Sequence, residues 1–327
     1  ARVYVLPCIA GHVGADAAAA TLSEGPHRQD EIMLLVDVGT NAEIVLGNKD
    51  RVVAASSPTG PAFEGAEISC GQRAAPGAIE RVRIDPVTLE PKFRIIGTDK
   101  WSDEPGFEEE ATKFGITGVC GSGIIEVVAE MFLAGIISRD GVIDGSLAAR
   151  SDRIVADGRT YSYVLWRGDH QLVVTQNDIR AIQLAKAALY AGVRLLMDRL
   201  GINSVDKIRL AGAFGSFIDP KYAMVLGLVP DCELENIKSV GNAAGAGAKM
   251  ALLNRTYRRE IEETVRKIEK IETALEKSFQ EHFVNAMAFP NKVEPFPKLA
   301  RFVDLPKVKV SAGMDQDNGR RRRRRVR

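Results

Sequence analysis

The chain has 327 residues and a net charge of +1, with 45% hydrophobic and 27% charged residues, enough for two lobes and a sizeable core in ordinary globular proportions. The charge balance excludes a nucleic-acid footprint spread over the chain, and no run of 18 apolar residues exists to span a membrane. Cys8, Cys70, Cys120 and Cys232 lie far apart with no C-x-x-C spacing, which argues against a zinc or iron–sulfur site built from them and for a reducing, cytoplasmic compartment.

The chain opens without methionine, directly in a strand-like run at residues 2–6. We therefore expect a fragment whose N-terminal part is missing; removal of a start methionine is the simpler alternative. Residues 11–14 predict a turn and 16–22 an alanine-rich helix, followed by a loop at Glu24, Gly25 and Pro26. Three β runs at 32–38, 42–46 and 51–56, the last two joined by Gly47-Asn48-Lys49-Asp50, predict an antiparallel meander. Residues 60–77 form a glycine-punctuated loop, and 81–84 with 92–96 a second strand pair. Residues 121–136 predict a helix with Ile124, Ile125, Val128 and Met131 on one side.

Thr175 and Asp178 have capping-box spacing, with aspartate in place of the usual Glu or Gln. They open a long helix to Leu200, stopped by Gly201. A short strand at 208–211, a helix after Pro220 and a small-residue helix at 242–253 follow. From 255 to 277 the sequence is highly charged, with Ile261, Val265, Ile268, Ile271 and Leu275 at helical spacing, which predicts an amphipathic helix on the surface. Beyond Pro290 the chain is proline-rich and then basic, ending in a run of arginines at 320–325; we expect a wrapping arm and a disordered, solvated tail. Strand pairs ahead of helices exclude a plain Rossmann array.

Chemistry concentrates at the turn Asp37-Val38-Gly39-Thr40-Asn41 between two apolar strands. Glycine lets a ligand approach the backbone, the turn amides can form an anion nest, and Thr40 and Asn41 add side-chain donors. Asp37 has the wrong sign for a phosphate but suits a Mg²⁺ ion held through water, or a general base. The same residues also serve a tight hairpin whose side chains satisfy its own backbone. Glu43 either positions water or caps the hairpin, and Glu64 either faces the cleft or is solvated. The second element is Gly212-Ala213-Phe214-Gly215, where a strand ends in two glycines that let a flat ring or ribose approach. The third is a pair of small-residue helices, led by Gly11 and Gly14 and by Gly241; alanine propensity explains their alanines but not Gly245 and Gly247. Cys120 and Ser122 mark a glycine-rich helix start, to which we assign no catalytic thiol. His12, His27, His170 and His282 form no cluster in sequence.

Together, the Asp37–Thr40 loop, the Gly212–Gly215 pair and the two small-residue helices resemble the acetate kinase/sugar kinase/Hsp70/actin ATPase superfamily. The strings VDVGTNAEI (36–44), GPAFEGA (60–66), APGAIE (75–80) and GVCGSGI (118–124) further resemble the C-terminal domain of the reductive activators of corrinoid proteins, over about residues 1–290. The resemblance implies an α/β fold, an actin/Hsp70-like ATPase lobe with a mixed sheet, an antiparallel meander and packed helices. It divides the chain into the end of a first lobe with its connecting helix (1–30), a second lobe (31–254), an amphipathic helical extension (255–290) and an arm with a basic tail (291–327).

Members of that family use ATP to drive electron transfer from a 2Fe–2S ferredoxin-like domain to cobalt, Co(II) to Co(I), in a corrinoid protein of a methyltransferase system. The resemblance thus implies ATP and Mg as ligands, with Gly39, Thr40 and Asn41 around a phosphate and Asp37 beside Mg²⁺ through water. It sets Gly212, Ala213 and Gly215 along the adenosine, and counts Gly241 among the cofactor-binding residues. It also implies a homodimer. The family's earlier D-x-G-T loop and its cluster cysteines are absent here, so 37–41 would be the second phosphate loop and the 2Fe–2S cluster would lie in the missing N-terminal region. A non-catalytic nucleotide-binding scaffold and a small-molecule kinase of the same superfamily are the alternatives. We expect neither nucleic acid nor membrane among the partners.

Overall fold

The computed structural model describes residues 3–168, 170–215 and 217–306, the side chains of residues 213 and 214 apart. Residues 3–8 pair with no strand, unlike the run expected at 2–6, whose Arg2 lies outside the described residues. Tyr4 instead donates its hydroxyl to Glu262 and takes the Arg258 guanidinium over its ring. After helix α1 (Ala15–Glu24) come β1 (Met33–Val38), β2 (Ala42–Gly47) and β3 (Val52–Ser57), which form the expected antiparallel meander. These strands are apolar over most of their length because both faces are covered. Leu34, Val36, Ile44 and Leu46 enter the main core, while Leu35, Val45 and Ala54 meet Ala17 and Ala20 of α1.

Strands β4 (Ala78–Ile84) and β5 (Pro91–Ile95) form the second expected pair, and after α2 (Phe107–Ala111) the short β6 (Gly118–Val119) joins β4 in parallel. Helix α3 (Gly121–Leu133) then lies along the stretch of β4 that β6 leaves unpaired. There the buried carboxylates of Glu126 and Glu130 accept the backbone N–H groups of Val82 and Ile84 at 2.9 and 3.0 Å. Two glutamates one helical turn apart thus complete a strand edge that would otherwise carry orphaned donors. Strands β7 (Ile154–Asp157), β8 (Thr160–Arg167) and β9 (Gln171–Val174) make a separate antiparallel sheet in a region where the sequence pattern predicts no strands.

Helix α4 (Gln176–Leu200) follows with its capping box complete: Thr175 Oγ1 accepts from the Asp178 amide, and Asp178 Oδ2 accepts from the Thr175 amide at 2.7 Å. Gly201 ends it in the left-handed conformation. The chain returns as β10 (Lys207–Ala211), α5 (Gly212–Gly215), α6 (Pro220–Leu226), β11 (Ile237–Gly241), α7 (Ala243–Leu253), α8 (Arg255–Val265), β12 (Glu269–Lys270) and α9 (Phe279–Ala286). The main sheet has the order β11-β10-β1-β2-β3-β12, with α1 on one face and α4 on the other.

The helix expected over 255–277 ends at Val265. Ile268 and Ile271, spaced three apart, instead flank β12, which adds in parallel to β3; the Ile271 amide bonds Ala54 O at 2.8 Å. An open sheet edge offers the backbone partners that a continued helix would have to supply itself, and it buries both isoleucines while Leu275 stays exposed. The arm beyond α9 is fixed to α4. Lys186 Nζ donates to Ala288 O and Pro290 O at 2.7 Å each, and Gln183 Nε2 to Met287 O at 2.7 Å. The arginines at 320–325 lie outside the described residues.

Candidate functional site

The site follows from strand register. β10 runs parallel to β1 and pairs Ala211 with Asp37; β11 runs parallel to β10 and pairs Gly241 with Ala211. A register shift after Leu210 brings Gly241 to that level. Asp37, Ala211 and Gly241 therefore stand side by side at the C-terminal ends of three parallel strands, the position where open α/β sheets bind ligands. Motifs that span some 200 residues of the chain, from Asp37 to Gly241, become one surface.

Gly212 is the pivot. Its φ of +89° lies in the region L side chains avoid, and a Cβ there would stand 2.5 Å from Asp37 Oδ1. The phosphate-type turn and the glycine pair are thus in direct contact, backbone against carboxylate. Ser239 Oγ on β11 donates to Gly215 O at 2.8 Å and pins the far side of the 212–215 turn. The side chain of Ala213 lies outside the described residues. Gly39 N donates to Asn41 O at 3.1 Å, while the Thr40 and Asn41 side chains face solvent. Thr59, which no sequence motif singles out, steadies this turn by donating its hydroxyl to Gly39 O at 2.8 Å.

Two further acids share the site. Glu43 lies on β2 beside Ser56, whose hydroxyl is 3.4 Å from Glu43 Oε1. Asp16 opens α1, where its Oδ1 accepts the Ala17 amide at 2.8 Å. Burial, then the charges of Asp16 and Asp37, push the Glu43 carboxyl up to about 7. Burial, then Asp16, also raises Asp37 above the ordinary carboxylate range. Among the described residues no cation pairs with any of the three. Yet no three acidic, His or Cys groups there stand close enough to ligate one ion together. Negative charge without a counterion, and without a direct ligand cage, fits a hydrated divalent cation. Asp16 was legible only as a first-turn acid of a small-residue helix; what brings it to the site is the crossing of α1 over the sheet.

The small-residue helices α1 and α7 do cross in contact. A Cβ on Gly247 would collide with the backbone of Ala19, which accounts for the glycine that helix propensity could not. Asn242 caps α7 by accepting the Gly245 amide at 2.7 Å. The remaining candidates carry no chemistry of this kind. Cys120 is buried, with Sγ 3.4 Å from both Ile79 O and Ser122 Oγ. Burial pushes Cys70 and Cys232 up to about 12 and about 11, so their thiolates are disfavoured. His27 and His282 each bond one carboxylate, Glu260 and Asp198, at 2.8 Å. No helix among the described residues is long and apolar enough to cross a membrane.

Residues 31–300 match the family model described as the C-terminal domain of RACo, the ASKHA domain. The chain is 35% identical over 265 residues to the corrinoid activation enzyme RamQ of Eubacterium limosum, covering 77% of this chain and 42% of that one. It is 26% identical over 318 residues to the [Co(II) methylated amine-specific corrinoid protein] reductase of Methanosarcina barkeri, covering 93% of this chain and 54% of that one. The solved structure of a reductive activator for corrinoid, iron–sulfur protein superposes with a TM-score of 0.76 at 36% identity, over 88% of this chain and 44% of that chain. The chain spans about half the length of these relatives.

Proposed function

The chain belongs to the family of C-terminal ASKHA domains of RACo, and from that premise we propose that it is the nucleotide-binding and partner-docking part of an ATP-dependent reductive activator, which takes a corrinoid protein from Co(II) to Co(I). The observation that carries this reading is the contact of Asp37 with the bare backbone of Gly212, at the aligned ends of β1, β10 and β11. Gly39, Thr40 and Asn41 would receive the phosphates. Gly212, Ala213, Gly215 and Gly241 would line the adenosine, because any larger residue at 212 would occupy that edge.

Bound Mg-ATP would supply the free energy that shifts the domain between conformations. Asp37 and Glu43 would orient the waters of the magnesium ion, and both must be ionised to do so. The side chains of this domain hold and orient; by the family resemblance, the 2Fe–2S cluster would lie in the part of its relatives' length that this chain does not span. The cobalt partner is a corrinoid protein serving a methyltransferase. In this reading the activator is cytoplasmic and works as a homodimer.

Titration of the 327-residue chain with Mg-ATP tests the reading. The wild type is expected to bind and Gly212→Val to bind at least about tenfold more weakly, since the new side chain meets Asp37. A wild-type chain that gives no signal at millimolar Mg-ATP would sink the proposal. For the corrinoid step, the whole activator should generate Co(I) absorbance only when ATP is present.

A further inference from the structure

The hydroxyl of Thr40, at the tip of the β1–β2 turn, donates to Glu64 Oε1 at 2.8 Å. Glu64 ends a short 3-10 turn, Pro61–Glu64, that backbone bonds tie to the same tip: Gly60 N donates to Thr40 O at 2.9 Å. The position of residue 64 is therefore fixed, while its carboxylate is exposed. A threonine hydroxyl has one proton to give. A phosphate seated on the turn and the Glu64 carboxylate would compete for that proton, and two anions at one hydroxyl repel.

Glu64 has somewhere else to go. It lines a cavity of about 560 Å³ together with Gln72, Arg73, Ser122 and Phe217. Arg73 is exposed and makes no ion pair among the described residues. Phe217, also lining it, stands two residues past the 212–215 turn. The cavity thus adjoins both halves of the nucleotide site and holds an uncommitted cation.

We infer that Glu64 is an occupancy-sensing residue: a phosphate bound at the β1–β2 turn takes the Thr40 proton, and the Glu64 carboxylate leaves Thr40 for the cavity that Arg73 lines. No covalent bond changes; one hydrogen bond is exchanged for another. In the empty turn Glu64 is an internal competitor, so the site favours ligands whose phosphates can win the proton and discriminates least among those without phosphate. The inference rests on the nucleotide reading above and adds its regulation.

A double-mutant cycle on the 327-residue chain decides it, with Mg-ATP and adenosine as probes. Glu64→Gln should tighten Mg-ATP about three- to tenfold, because a neutral amide competes less well for the proton, and leave adenosine unchanged. In a Thr40→Val background, where there is no proton to contest, the gain should vanish. A gain of the same size in that background would mean plain charge repulsion and overturn the proposal, as would the absence of any gain. Glu64→Ala gives an independent second variant, and melting temperatures check that each protein folds. A wild-type chain that binds neither probe overturns the nucleotide reading and this inference together. Wild-type binding without a Glu64→Gln gain overturns this inference alone.

Discussion

Glu43 is where the fold turns the choice of one residue into a dependence on pH. Its folded carboxyl titrates near 7 against an ordinary value of 4.5, so the folded chain keeps a proton that the unfolded chain releases. The stability this group contributes is complete below about pH 4.5 and is lost as pH rises to about 7. Glu43→Gln, which cannot ionise, should therefore melt higher than the wild type at about pH 8 and differ little from it at about pH 4.5. Taking the difference between the two proteins cancels Asp85, Asp152 and Glu269, whose lowered values act with the opposite sign at lower pH. A second consequence is that Mg-ATP affinity should rise from about pH 6 to 8 in the wild type, as Glu43 ionises, and lose most of that rise in Glu43→Gln. Flat wild-type affinity over that range would remove Glu43 from the proposed magnesium site.

Elements that carry their own local signals were legible in the sequence. The Thr175–Asp178 box and Gly201 framed α4, and the turns at 39–41 and 47–50 framed the meander. What escaped were elements defined by partners. β7 and β9 bury only scattered positions, although β8 between them buries four in a row, and β12 is a strand only because β3 leaves an edge open beside it. Glu126 reads in sequence as an interruption of an apolar helix face, yet it holds Arg81 at 2.7 Å, Arg83 at 2.5 Å and the Val82 amide. Glu126→Ala should cost about 2–4 kcal/mol in denaturant unfolding, since it leaves the buried Val82 strand donor unsatisfied and removes the ion-pair partner of two part-buried guanidiniums. The α1–α7 crossing gives a matching prediction. Gly247→Val should cost about 3 kcal/mol or more by forcing the helices apart, whereas Ala248→Val, on an exposed position of α7, should cost under about 1 kcal/mol. Equal losses in the two variants would show that the contact is not tight.

At the scale of the molecule, the candidate site was legible in its residue types and in the order of its motifs, but not in its depth. Asp37, Thr40 and Gly212 could be named from sequence; that Asp37 lies against Gly212, and that Asp16 and Glu43 join it, depends on β1 lying beside β10 and under α1. The arm after α9 is held from outside the site by Lys186, whose ammonium burial pushes well below its usual range, with Arg139 adding repulsion. Lys186→Met should leave two buried carbonyls unsatisfied, lower stability by about 2–4 kcal/mol, and make residues 286–294 the first segment cut in limited proteolysis. Protection equal to wild type would mean the remaining contacts hold the arm unaided.

The pairing of β1 with β10 also has a consequence in time. Asp37 leaves the ribosome about 200 residues before Gly241, and at about 5–20 residues per second that is a delay of roughly 10–40 s. Throughout it, the meander can fold while the nucleotide edge does not yet exist. On the proposed nucleotide reading, Mg-ATP can stabilise only chains that have closed this long loop, so stalled chains released before residue 241 should show no protection by Mg-ATP.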